Sequence, residues 1–163
     1  MGDMPLSLLD TTVLSNFAHV RRPDLVHTIL GKQAATTPTV LAELHQGEAL
    51  GFVPRVDWRW LLVLELTAVE QSLVNQYLHV LDAGEAECLA VAVTRRARFF
   101  SDDLAARRLA QVNQVSISGT IGLLLSLVHT KTVSLAEGDE LLTLMKQQGY
   151  RAPAASLQTY LEE

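Results

Sequence analysis

The chain has one cysteine, Cys88, and no surplus of positive charge. A single thiol excludes an intrachain disulfide, so all 163 residues must be held by burial and hydrogen bonds, and nothing asks for an oxidising compartment. Cys88 sits among Ala86, Leu89 and Ala90 and reads as a small buried hydrophobe. The formal net charge of −5 argues against a sequence-independent nucleic-acid binder of the basic-patch kind, whose affinity comes from Lys and Arg on phosphates. A local basic rim stays open, because arginine supplies most of the thirteen basic residues and several cluster at Arg95, Arg96, Arg98, Arg107 and Arg108. Long apolar runs are missing too. The densest, Trp60 to Leu66, is broken by Glu65 and is too short to span a bilayer. No basic leader with a long apolar segment opens the chain, and Leu6 stands where a myristoylation signal wants Ser or Thr. A cytoplasmic protein without membrane attachment is expected. The five histidines lack a His-x-x-x-His spacing and read as surface or packing residues, and no Ser-His-Asp or Cys-His pattern offers a nucleophile.

What is present suits a globular domain: 48% of residues are hydrophobic and 19% charged, enough for a proper core. One domain over 1–150 is expected, followed by a tail or short helix over 151–163. Pro5 to Leu9 is a short apolar run ending at Asp10, and Thr11 or Thr12 can cap a helix through Val13, Leu14 and Phe17. Pro23 and Gly31 bracket a second helix; Gln33 to Ala35 reads as a brief strand; Pro38 to about Gly47 reads as a third helix. Trp60 to Leu66 is β-like, and Thr67 to about Val80 reads as a helix with Val69, Leu73, Val74, Tyr77 and Leu78 on its apolar stripe. Asp82-Ala83-Gly84 is turn chemistry before an alanine-rich helix from Glu85 to Arg95, whose acids precede its arginines as the helix dipole favours. Arg98 to Phe100 and Val115 to Ile117 read as strands, and Asp103 to Gln111, Gly119 to His129 and Glu137 to Gln148 as helices. Strands alternating with helices imply βαβ units: an α/β fold, a three-layer α/β/α sandwich around a central parallel sheet of four to five strands.

Carboxylates recur just after apolar segments: Asp10 after Leu8-Leu9, Glu43 after Val40-Leu41-Ala42, Asp82 and Glu85 after Val80-Leu81, and Asp102-Asp103 after Phe99-Phe100-Ser101. In a parallel sheet the functional crevice lies beyond the carboxyl ends of the strands, so Asp10 and Asp102-Asp103 should meet there. Mg²⁺ or Mn²⁺ takes oxygen ligands, and carboxylates converging from separate segments can hold such ions over a phosphodiester. Each acid also has a plain structural explanation: Asp10 and Asp102 as helix caps, Glu43 as an exposed acid on an amphipathic helix. Four acidic segments in order are harder to explain so.

The same segments resemble the PIN domain, a family of metal-dependent nucleases that includes the toxins of VapBC-type toxin–antitoxin pairs. Leu8-Leu9-Asp10-Thr11-Thr12-Val13-Leu14 looks like its opening strand and first acid, and Pro38-Thr39-Val40-Leu41-Ala42-Glu43-Leu44 like the helix with its second. Gly84-Glu85-Ala86-Glu87 and Asp102-Asp103-Leu104-Ala105-Ala106-Arg107 resemble the Gly-Glu-Ala-Glu and Asp-Asp-x-x-Ala-Arg segments of one prokaryotic subgroup. Gly119 to Leu124 and Gly149-Tyr150-Arg151 also look like that subgroup. The resemblance implies Asp10, Glu43, Glu85 and Asp102 or Asp103 as metal-binding acids, with Asp10, Glu43, Glu85 and Asp103 catalytic. Glu87, two residues from Glu85, points about 200° away around a helix, so Glu85 is preferred. Ser101 and Asn16 are expected to orient a ligand or a water. The implied activity is a Mg²⁺- or Mn²⁺-dependent endoribonuclease acting on RNA and restrained by a small antitoxin; a homodimer is expected on a separate hint, the apolar Trp58, Trp60, Leu61 and Leu62 in a chain of positive mean hydropathy. A catalytically idle PIN-like module binding RNA or a protein is the alternative. A phospho-acceptor fold is weaker, because no Asp-x-Asp follows the first strand.

Overall fold

The computed structural model describes residues 4–161. Five short strands, β1 (Ser7–Leu9), β2 (Ala34–Thr36), β3 (Leu62–Val63), β4 (Arg98–Phe100) and β5 (Ile117–Ser118), form one parallel sheet in the order β3-β2-β1-β4-β5. β1 is central, with Ser7 opposite both Ala34 and Arg98, and all three of its residues are buried, as expected for a strand covered on both faces. From β1 the chain steps outward to β2 and β3, then returns to place β4 on the other side of β1. The switch point of this α/β sheet therefore lies between β1 and β4, where such folds open their crevice.

Helices α1 (Thr11–His19), α2 (Pro23–Leu30), α3 (Pro38–Ala49), α4 (Ala68–Tyr77), α5 (Ala83–Arg95), α6 (Leu104–Val112), α7 (Thr120–His129), α8 (Leu135–Gln147) and α9 (Gln158–Leu161) flank the sheet, giving the three-layer α/β/α architecture that the sequence predicts. Leu8, Leu9, Phe17, Leu89, Phe99 and Leu124 are fully buried at its centre. Truncating Phe17 or Phe99 to Ala would cost about 3–5 kcal/mol. Small residues on α5, Ala86 and Ala90 among them, are buried in the same core and let that helix approach the sheet closely. The chain beyond 150 joins this core: Leu157 is buried, and its N–H donates to Asp139 Oδ1 at 2.7 Å. Residues 162–163 of the expected tail lie outside the described residues.

Several local expectations change. α1 is capped by Asp10 rather than Thr11 or Thr12, and α5 begins at Ala83 with Asp82 as its cap, so Gly84 is helical and not part of a turn. β3 keeps only two residues of the apolar run Trp60 to Leu66, because it is an edge strand paired to β2 alone, while Leu61 and Trp58 turn inward. Val69 on α4 and Leu78 at its C-terminal cap are exposed, and Glu70 is buried. A partner overrides the period there: Glu70 pairs with Arg95 of α5 at 2.9 Å, accepts the Thr94 hydroxyl, and closes a capping box with Thr67.

Candidate active site

Asp10 leaves β1 still in the ladder, its N–H donating to Phe100 O at 3.1 Å, and its carboxylate then accepts the Val13 N–H at 3.1 Å as the cap of α1. It is 2% exposed. Across the switch point, the three residues after β4 divide the work. Ser101 is fully buried; its hydroxyl hydrogen-bonds Asp10 and accepts the N–H of Asp103 at 3.2 Å. Asp102 accepts the Thr120 N–H (2.9 Å) and hydroxyl (2.6 Å) at the start of α7, and the Asn16 amide at 3.4 Å. Asp103 is the residue that caps α6, accepting the Ala106 N–H at 2.9 Å, so the cap expected of Asp102 belongs to its neighbour. Gly119 makes this packing possible, since a Cβ there would collide with Asp102 Oδ1.

The second pair of acids opens α5. Asp82 and Glu85 form a reciprocal capping box, with Glu85 N–H to Asp82 at 2.9 Å and Asp82 N–H to Glu85 at 3.1 Å. Glu43, on α3, reaches the same helix start: it accepts the Thr11 hydroxyl and the Gly84 N–H. A Cβ at Gly84 would stand 3.0 Å from Glu43 Oε1, so glycine is what lets the carboxylate close on α5. Glu87 turns the other way. It accepts the Thr39 N–H (3.2 Å) and hydroxyl (2.7 Å), capping α3 where Thr37 makes no side-chain cap bond.

A cleft of about 480 Å³ opens over this group, lined by Asp82, Glu85, Asp102 and Asp103 with Asn16 of α1 and Arg151. Asp10 and Glu43 do not line it, yet the charge of Asp82 raises the pKa of both. Burial, followed by the charges of Asp102 and Asp82, pushes Asp10 up to about 7 against the pull of its Ser101 and Val13 bonds. Burial raises Glu43 as well. Glu85 is raised well above the carboxylate range by burial and by its side-chain contact with Asp82, and the charges of Asp82 and Asp103 add to this. None of the ion pairs among the described residues involves these acids.

Such a set suits a hard divalent cation: the donors are all oxygen, several face one cleft, and their charge is uncompensated. Among the described residues no three of them already form a chelating set. The donors therefore fit an ion that keeps several waters and takes one or two carboxylates directly, as Mg²⁺ does. Asp82, His19, Tyr150 and Arg151 also line the cleft although sequence reasoning gave them no role there. Asp82 had a signal, since Asp-x-x-Glu is capping-box spacing; His19 had none, its ring nitrogen lying 3.0 Å from Phe52 O.

None of the curated proteins and none of the solved structures compared matches this chain. A family model described as a PIN domain matches residues 7–163, nearly the whole length. With its parallel sheet and the acids gathered at the β1/β4 switch point, the chain belongs to the PIN-domain family.

Proposed function

We propose that the protein is a Mg²⁺- or Mn²⁺-dependent endoribonuclease whose site is the acid cleft at the β1/β4 switch point. The observation that carries this reading is Asp10, a buried carboxylate with no cationic partner among the described residues, beside the acids of two other segments, Asp82 and Asp102. Asp10, Glu43, Glu85, Asp102 and Asp103 would hold the ion, with Asp82 as an addition to the set, one or two of them directly and the rest through its waters. When bound, the ion supplies charge neutralisation and Lewis acidity toward phosphate and water. The chain does the positioning: Ser101 fixes an oxygen of Asp10, Thr11 orients Glu43, and Asn16 with Thr120 fixes Asp102. Single-stranded RNA cleavage with Mn²⁺ tests the reading. Asp10→Asn and Glu85→Gln should each lose on the order of 100-fold or more in rate, and Glu87→Gln, which faces α3, far less. Unchanged Mn²⁺ affinity by calorimetry in both site variants removes the site from contention.

A toxin role, with a small antitoxin inserting into the acidic cleft, and a cytoplasmic homodimer complete the proposal. The dimer draws support from the free edge at β3, where Leu62 and Val63 are exposed. The original apolar hint shrinks, since Trp58 and Leu61 are buried and Trp60 stacks on His27 at 4.8 Å. Light scattering and co-purification from the native operon test both partners. A second reading, an idle module that binds without cutting, is favoured by one observation: every acid of the cluster already has a structural bond at a helix start. Absence of metal-dependent cleavage by a folded, RNA-binding wild type would establish it instead.

A further inference from the structure

The acid cleft does not stop at Asp102. Tyr150 and Arg151 line both it and an adjoining cavity of about 460 Å³ that passes Leu104 and Gly119. That cavity shares Ser118, Gly122, Leu125 and Tyr160 with a largely apolar one of about 560 Å³. The three cavities thus adjoin one another in a row from the acids past the start of α7.

Two arginines stand on the middle stretch, Arg107 and Arg151, and neither is in any of the ion pairs among the described residues. Arg107 is held: its Nη1 donates to Ser101 O at 3.2 Å, which occupies one of the five N–H donors of a guanidinium. Gly119 leaves it room, for a Cβ there would stand 3.3 Å from the same nitrogen. Arg151 is placed by the end of α8. Gly149 takes φ +110°, the Tyr150 N–H returns to Met145 O at 3.0 Å, and the chain turns so that Tyr150 and Arg151 meet the cleft. The N-terminus of α7 adds no free donor at its first turn residue Thr120, whose N–H is taken by Asp102.

We propose that this middle groove is a subsite for the phosphodiester neighbouring the one at the acids, with Arg107 and Arg151 as its phosphate ligands, so that the bound strand leaves the cleft past α7. The inference rests on the nuclease reading for the identity of the ligand. Its physical basis is independent. Uncompensated acids repel a polyanion, so attraction must come from cations beside them, and two guanidinium groups that form no ion pair among the described residues line the adjoining cavity. Planar guanidinium forks suit phosphate oxygens. A neighbouring-phosphate contact also restricts which strands are held, because a dinucleotide with one linkage cannot reach both places.

The test uses a set of fluorescein-labelled single-stranded hexaribonucleotides, each with one linkage replaced by a neutral methylphosphonate. Binding is read by anisotropy in Mn²⁺ on the full-length Asp10→Asn chain, whose turnover is removed under the nuclease reading. Neutralising one particular linkage should weaken binding roughly tenfold or more, the scale of a lost charge-assisted bond. Adding Arg107→Gln or Arg151→Gln should weaken the all-phosphate strand similarly and remove the penalty at that linkage alone. Arg107→Lys should keep part of the affinity, and thermal melts check that each variant folds. Losses that are equal for every linkage, or no loss in either folded variant, overturn the subsite. So does a polyglutamate peptide of equal charge that competes as well as RNA, since the groove then takes acidic peptide. Linkage-specific coupling in a wild type that never cleaves RNA would sink the nuclease reading and leave the subsite standing.

Discussion

Asp10 is held where an ionised carboxylate is least stable, without a cation and within reach of two other acids. Its folded pKa of about 7 lies above the ordinary 3.8, so between those values the folded chain holds a proton that the unfolded chain has released. Stability from this group is therefore full below about pH 4, falls as pH rises through that window, and stays low above about 7. Asn caps a helix as well as Asp and carries no charge. In chelator, Asp10→Asn should thus melt at or near the wild-type temperature at pH 4 and progressively above it toward pH 7.5, by a gain on the order of a few kcal/mol at most. Melts across that range, with and without Mn²⁺, check this; saturating Mn²⁺ should narrow the gap, because the ion stabilises only the chain that keeps the carboxylate. A gap independent of pH would show that Asp10 is not strained by its charge. At this scale the sequence was readable where placement follows from position after a strand, as for Asp10 after β1 and Asp103 after β4. It was unreadable where a role needs a distant partner, as for Glu87, whose Thr39 lies 48 residues away.

The acids converge because helices do. In a parallel sheet each βα unit starts its helix at the carboxyl edge, and here the N-termini of α1, α5, α6 and α7 each hold one or more of the carboxylates. Gly84 shows how closely they are set. In an ordinary helix interior Gly→Ala stabilises by about 1 kcal/mol. Here the new methyl meets Glu43 Oε1 at 3.0 Å and Val40 Cγ2 at 3.1 Å, so Gly84→Ala should push Glu43 from the helix start and lower activity with little or no gain in melting temperature. Full activity with a higher melting temperature would mean that Glu43 is free to move. On the far side, Glu70 joins α4 to α5. Its pKa is lowered to about 2 against the usual 4.5, first by its bonds to Arg95, so the stability it gives is complete above about pH 4.5 and is lost as pH falls toward 2. Removing one partner of a buried pair costs about 3 kcal/mol or more, so Glu70→Ala should shift the urea midpoint down by a constant amount above pH 5 and by less at pH 3. Helix starts marked by Pro23 and Pro38 and stops marked by Gly31 and Gly149 were legible, since each follows from local backbone chemistry, whereas the last long helix, expected from Glu137, starts at Leu135 under a Ser134 cap. The inward Glu70 and the two-residue β3 were not, because a partner on another helix decides the first and a single-sided ladder the second.

For the whole molecule, the strand order turns two acids separated by some ninety residues into neighbours, and the net charge decides how a polyanion can approach them. With −5 overall and a pI near 5.5, the surface offers no general attraction to nucleic acid. Binding must then come from the cleft ion and the few unpaired cations of the groove. This sets the salt dependence. For single strands the slope of log K against log salt is about −0.7 for each phosphate neutralised by the protein, so the one phosphodiester that Arg107 and Arg151 hold together predicts a slope of about −0.7. Anisotropy titrations of an uncleaved strand over 50 to 300 mM salt, roughly the range where such slopes are measured, should give that shallow line, and it should flatten further when both arginines are replaced by Gln. A slope several times steeper would mean that many more cations meet the strand than this groove provides. The exposed Arg96 and Arg108 would then be the first residues to replace, and the acid cleft would have to receive its substrate across a much wider face of the protein.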